Sequence, residues 1–84
     1  MIVRFHPHAQ ERIEERGTTE EEVRSAVEFG ERFPAKFGRT GFRRNFAFNA
    51  LWRGRAYQTK QVEAYAVEEK PREWFVITVI TRFF

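Results

Sequence analysis

Residues 42–52 read FRRNFAFNALW, and this stretch decides the fold. Its even-numbered positions are mostly apolar: Phe42, Arg44, Phe46, Phe48, Ala50 and Trp52. Its odd-numbered positions are more polar: Arg43, Asn45, Ala47, Asn49 and Leu51. An apolar residue at every second position is typical of a β-strand that buries one face and leaves the other to solvent. The sequence therefore predicts a long amphipathic strand in the middle of the chain.

Toward the N-terminus the apolar spacing becomes helical. Residues 2–5 predict a short strand, and Pro7 suits the first turn of a helix, because the missing amide hydrogen costs nothing there. Gly17 is a natural end for this first helix. Thr19 begins a second helix as the first residue of a capping box, and Gly30 ends it. The pattern predicts a helical hairpin ahead of the strands.

Every segment after Gly30 has strand character: residues 32–37, 42–52, 60–68 and 74–81. The last of these is apolar at nearly every position, so we expect a central strand that is covered on both sides. The element order β-α-α-β-β-β-β predicts an α+β fold of two layers. We expect an antiparallel sheet of four to five strands with the N-terminal helical hairpin on one face. Residues 1–84 are expected to form a single domain.

The chain separates its charges along the sequence. Between Glu31 and Glu63 there is no acidic residue, although the whole chain carries a net charge of only +3. The eight cations of this acid-free stretch are Arg32, Lys36, Arg39, Arg43, Arg44, Arg53, Arg55 and Lys60. Such a field attracts polyanions, chiefly a phosphate backbone. The interleaved aromatic residues are candidates to stack on unpaired bases, or else they face the core as in any amphipathic strand.

Several classes of protein are disfavoured by the composition. The chain has no cysteine, which excludes disulfides and thiolate chemistry. It has no apolar run of transmembrane length and no signal peptide, so a cytoplasmic protein without a membrane partner is expected. His6 and His8, without Cys or Asp, make a poor metal site, and no phosphate-binding loop is present. We therefore expect neither a metal nor a cofactor.

The first helix carries a stripe of three basic side chains. His8, Arg12 and Arg16 are spaced four residues apart, so they share one helix face. His8 lies near the helix N-terminus, where the dipole disfavours its charged form and keeps it available as a base. The alternative is structural, because neighbouring glutamates allow weak ion pairs along a solvated face.

The residues of this helical hairpin resemble the signature of a known protein family. The motif HAxxRxxERGTTxExV at residues 8–23, with VITV at residues 76–79, resembles a widespread family of small, uncharacterised prokaryotic proteins. Thr18 stands where that family usually has Ile, a change that the turn between the helices should tolerate. The family looks like a distant branch of the RelE/BrnT-type ribonuclease toxins, which implies a RelE-like fold. It also implies a toxin–antitoxin module whose partners are RNA, free or on the ribosome, and an antitoxin protein.

Toxins of the RelE type cleave RNA by activating a 2′-hydroxyl against the adjacent phosphate. Because this chain has no Asp or Cys and only two His, cleavage by it is expected to need no metal. The sequence supplies candidates for each part of this reaction: His8 as the proton acceptor or donor, Tyr65 as a donor or stacking group, and Arg12, Arg43, Arg44 and Lys60 as cations at the phosphorane. Further candidates for nucleic-acid binding are Arg16, Arg39, Arg43, Arg44, Arg53 and Arg55. Lys60 and Arg44 are alternatively edge-strand residues that oppose aggregation. Tyr65 is either a core residue or a surface residue.

Two other functions remain open from the sequence. The first is a non-catalytic module of the same fold that binds RNA or an acidic partner segment. The second is a structural or regulatory subunit that docks a partner through its glutamate-rich helices.

Overall fold

The computed structural model describes all residues, 1–84, and its elements follow the predicted order. The helices are α1 (Pro7–Glu15) and α2 (Glu20–Phe29). The strands are β1 (Ile2–Phe5), β2 (Glu31–Pro34), β3 (Thr40–Trp52), β4 (Arg55–Lys70) and β5 (Glu73–Phe83). The predicted α+β class, with one sheet and a helical hairpin, is confirmed. No helix has the length and apolar character needed to cross a membrane.

The sheet has five strands in the order β1-β5-β4-β3-β2. Strands β2 to β5 form an antiparallel meander, as expected. Strand β1 instead pairs parallel with β5, from Ile2 opposite Glu73 to Phe5 opposite Val76, so the sheet is mixed. The helical hairpin makes the parallel pairing possible, because it carries the chain from β1 across the sheet to the far edge at β2.

Both helices begin at side chains that accept a backbone hydrogen bond. His6 Nδ1 accepts from the His8 amide at 3.0 Å, directly before Pro7 at the first helical position. Thr19 Oγ1 accepts from the Glu22 amide at 3.1 Å, which confirms the predicted cap. These caps satisfy amide groups that have no partner inside a helix.

The hydrophobic core lies between the helices and one face of the sheet. It contains Ala9, Ile13, Val23, Ala26, Val27, Phe42, Val62, Ala64, Ala66, Trp74, Val76 and Val79. The other face carries no helix, and we call it the open face. Strand β5 is interior to the sheet as predicted, but the expectation that it is covered on both sides is wrong. Its apolar side chains on the open face are only partly buried.

The long β3–β4 hairpin packs its end against the turn between the helices. Trp52 stacks on Phe83 with ring centroids 4.9 Å apart. Gly17 has a φ of +71°, and a Cβ atom there would lie 2.5 Å from the indole of Trp52. Both the backbone angle and this contact require glycine.

Candidate functional site

The strand register arranges the side chains of the open face in rows that cross the sheet. One row contains Phe33, Gly41, Tyr65 and Thr78, each opposite the next. The adjacent row contains Glu31, Arg43, Glu63 and Ile80. An aromatic row therefore lies directly beside a charged row, on a face with no covering element.

The aromatic row depends on Gly41. A Cβ atom at this position would lie 2.3 Å from the ring of Phe33, so the missing side chain leaves room for that ring to lie across β3. Phe33 meets Tyr65 edge to face, with ring centroids 6.0 Å apart. Both rings stay partly exposed, so the row offers a solvent-facing aromatic surface.

The charged row is a network that passes from strand to strand. Arg43 Nη2 donates to Glu31 Oε1 at 2.7 Å, and Arg43 Nη1 donates to Glu63 Oε2 at 3.4 Å. Arg82 donates to the other oxygen of Glu63, also at 3.4 Å. The side chain of Glu63 is only 4% exposed, and the two arginines compensate its buried charge. Glu63 thereby holds two guanidinium groups against the open face.

Arg43 links the two rows. Its guanidinium lies 4.7 Å from the centre of the Phe33 ring. The hydrogen bond to Glu31 raises the pKa of Arg43 above its already high ordinary value, with smaller contributions from nearby carboxylates and an opposing effect of desolvation. Arg43 is therefore a fixed cation at neutral pH.

A trough of about 430 Å³ runs along the aromatic row, from the β2–β3 turn to β5. Phe33, Tyr65, Thr78 and Ile80 line it, and the β2–β3 turn borders it with Lys36, Phe37 and Arg39. Neither Lys36 nor Arg39 takes part in an ion pair, and no carboxylate lines the trough. The part of the trough at the β2–β3 turn therefore carries uncompensated positive charge.

The structure brings three of the residues predicted from the sequence to this face: Arg39, Arg43 and Tyr65. It resolves the alternatives for Tyr65 in favour of a partly exposed residue on the open face. Arg43 and Arg44 are neighbours in sequence, yet they project to opposite faces of the sheet. The side chain of Arg44 contacts Ser25 of α2 and lies over the ring of Phe29.

Lys60 also lies on the helix side of the sheet, away from Tyr65. Its side chain is 9% exposed, and its Nζ lies 2.7 Å from Glu22 Oε1 and 3.0 Å from the Gly17 carbonyl oxygen. The hydroxyl of Thr18 donates to the same Glu22 carboxylate at 2.9 Å. Lys60 thus ties the turn between the helices to β4.

The stripe on α1 does not join the open face, because α1 packs on the opposite side of the sheet. Arg12 pairs with Glu15, while His8 is half buried. The remaining candidates lie at the end of the β3–β4 hairpin. There Arg53 donates to the Glu15 carbonyl oxygen, Arg16 borders the same small cleft, and Arg55 is exposed opposite Trp52. The structure therefore does not bring His8, Arg12, Lys60 and Tyr65 together.

Sequence reasoning missed Glu31, Glu63 and Arg82 as parts of the site. The two glutamates bound the acid-free stretch in sequence, yet both fold back onto Arg43. A signal for Glu63 was present, because it lies two residues from Tyr65 on one strand and therefore shares its face. No group of three or more His, Cys, Asp or Glu side chains is placed to hold a metal ion.

Comparison with protein-family models matches residues 5–81 to a family described as a domain of unknown function (DUF4258). The chain belongs to this family. The predicted resemblance to a small, uncharacterised domain family is confirmed to that extent. No curated protein and no solved structure matches the chain significantly.

Proposed function

We propose that this protein binds single-stranded RNA on the open face of its sheet. The observation that carries the proposal is the juxtaposition of the Phe33–Tyr65 aromatic row with the arginines held by Glu63. Aromatic side chains on an uncovered sheet stack on unpaired bases in other RNA-binding domains, and adjacent cations contact the phosphates. A duplex does not offer its bases in this way, so the face suits a single strand.

The charge balance of the face sets the expected strength of binding. Glu31 and Glu63 neutralise Arg43 and Arg82, so phosphates must compete for these guanidinium groups. Lys36 and Arg39 have no such competitor. With three or four phosphate contacts, the logarithm of the affinity should fall with the logarithm of the salt concentration with a slope of about −2 to −3, since each contact on a single strand contributes roughly −0.7.

A second candidate is a metal-independent endoribonuclease of a toxin–antitoxin module, as the resemblance to RelE/BrnT-type toxins implies. It is favoured by the position of Tyr65 beside Arg43 and Glu63 on one face. In this reaction the substrate 2′-hydroxyl gives its proton to solvent as its oxygen attacks the phosphorus, and the 5′-oxygen leaves with a proton from the Tyr65 hydroxyl, yielding a 2′,3′-cyclic phosphate and a 5′-hydroxyl. The cations would stabilise the additional charge on phosphorus. His8, Arg12 and Lys60 lie outside this face and would not take part.

One experiment tests both functions. A labelled single-stranded RNA, its duplex and its all-deoxy copy are titrated at several salt concentrations, with excess chelator throughout. The proposal expects the single-stranded RNA to bind more tightly than the duplex, with the slope given above. Binding independent of salt, or preference for the duplex, would contradict it. Cleavage of the RNA but not of the deoxy copy would support the endoribonuclease. Binding without cleavage would support a non-catalytic RNA-binding function.

A further inference from the structure

The β2–β3 turn presents an aromatic residue in an unfavourable backbone conformation. Phe37 and Gly38 have φ values of 62° and 69°, and the Arg39 amide donates to the Lys36 carbonyl oxygen at 3.2 Å. Two successive positive φ angles define a type I′ turn, whose first central position strongly prefers Asn, Asp or Gly. Phenylalanine at this position is strained, because its Cβ approaches the backbone.

The strained residue is also the most exposed large apolar side chain of the protein. Phe37 is 86% exposed, and the Arg39 guanidinium lies 5.8 Å from its ring centre. The ring therefore contributes little to the hydrophobic core. Phe37 is strained in the turn and exposed to solvent, so neither the turn nor the hydrophobic core accounts for a phenylalanine at this position.

Phe37 borders the trough of the open face, and the rings of Phe33 and Tyr65 are also among its walls. A volume of about 430 Å³ lies within the range of small-ligand sites. The walls are mostly apolar, Thr78 and Tyr65 supply hydroxyl groups, and Lys36 and Arg39 bring unpaired positive charge to the rim. A flat, apolar-faced group that carries an adjacent negative charge fits this combination.

We propose that the trough is a nucleotide pocket that takes one unpaired base of the bound strand. Phe37 stacks on the base, and Lys36 and Arg39 contact its flanking phosphates. The inference rests on the proposed RNA binding and deepens it, since it assigns one base-stacking position to a face whose cations otherwise contact the RNA backbone. The strained turn then places the Phe37 ring over the trough.

The test uses a nine-nucleotide RNA with 2-aminopurine at its centre and the same strand with an abasic centre. The native protein should quench the 2-aminopurine and bind the intact strand about 5- to 150-fold more tightly than the abasic one, the usual range for one stacked base. Phe37→Asn should lose both effects. The same substitution should raise the melting temperature by about 4 °C or more, because asparagine suits the turn.

Leu51→Asn is the matched control, since Leu51 is 70% exposed on the far hairpin and does not line the trough. It should bind both strands as the native protein does. Equal affinity of the native protein for the two strands, or native-like quenching by Phe37→Asn, would overturn the pocket while leaving RNA binding intact. A fall in melting temperature with Phe37→Asn would make Phe37 a structural residue and also overturn it. Failure of the native protein to bind either strand would refute the pocket and the proposed function together.

Discussion

Replacing Lys60 with methionine removes one charge from the contact between the helical hairpin and the sheet. The native ammonium group lies 2.7 Å from Glu22 Oε1 and donates to the Gly17 carbonyl oxygen at 3.0 Å. Methionine keeps most of the volume of the side chain but cannot donate a hydrogen bond. The substitution therefore leaves the carboxylate and the carbonyl group without this partner.

The solvent exposure of Lys60 and Glu22 sets the expected loss of unfolding free energy. Breaking a fully buried ion pair costs about 3–5 kcal/mol. The side chain of Lys60 is 9% exposed, but that of Glu22 is 24% exposed and keeps its hydrogen bond from Thr18. Since water can reach Glu22, we expect a smaller loss of about 2 kcal/mol, which lowers the melting temperature of a domain of this size by about 8–16 °C.

Urea unfolding followed by tryptophan fluorescence measures the loss, because Trp74 lies in the core. The urea concentration at the unfolding midpoint should fall, while the dependence of the unfolding free energy on urea concentration stays constant. The double variant Lys60→Met/Glu22→Gln should recover most of the lost free energy of unfolding. Lys70→Met, at an exposed lysine without an ion pair, should be neutral. RNA affinity at low temperature, where Lys60→Met is folded, should stay within about twofold of native, since a structural contact on the other face does not touch the strand. An unchanged urea midpoint combined with lost RNA binding would refute this reasoning and make Lys60 a functional residue.

Three further outcomes are expected. Gly17→Ala should cost about 3–4 kcal/mol in urea unfolding because strain and overlap combine, whereas Gly38→Ala, with a similar φ but nothing within 4 Å, should cost about 1–2 kcal/mol; equal costs would contradict the packing at Gly17. Arg43→Ala should flatten the salt slope of RNA binding by about 0.7 and Arg44→Ala should not, because they lie on opposite faces; equal effects would exclude the open face as the binding surface. Glu31→Gln should raise RNA affinity by up to about fivefold, because it frees one edge of the Arg43 guanidinium; weaker binding would show that Glu31 positions Arg43 instead.

The element order was predictable because it depends on local signals. The change of period at Gly30, the cap at Thr19 and the alternation in residues 42–52 each act within a few residues, and all agree with the structure. The parallel pairing of β1 with β5 was not predictable in this way. It joins residues about seventy positions apart, and no turn sequence specifies it.

The site was harder to predict because it depends on the register between strands. Alternation along β3 already implied that Arg43 and Arg44 face opposite sides, but it did not show which side the helices cover. The acid-free stretch predicts a positively charged region, whereas the hairpins place Glu31 and Glu63 against Arg43. Charge separation along a chain is therefore a weak guide to charge separation in space when the intervening strands fold back on themselves.

The same register explains why Tyr65 lies on the open face and Lys60 on the helix side of the sheet. The two residues are five positions apart on β4, and an odd spacing on a strand puts them on opposite faces. A catalytic set that needs both would require a break in the alternation between them, and β4 pairs with β3 without interruption there. Any chemistry on the open face must therefore use Tyr65 with its own row and the adjacent one. Glu63, with both carboxylate oxygens engaged by arginines, is suited there to hold Arg43 and Arg82 in place.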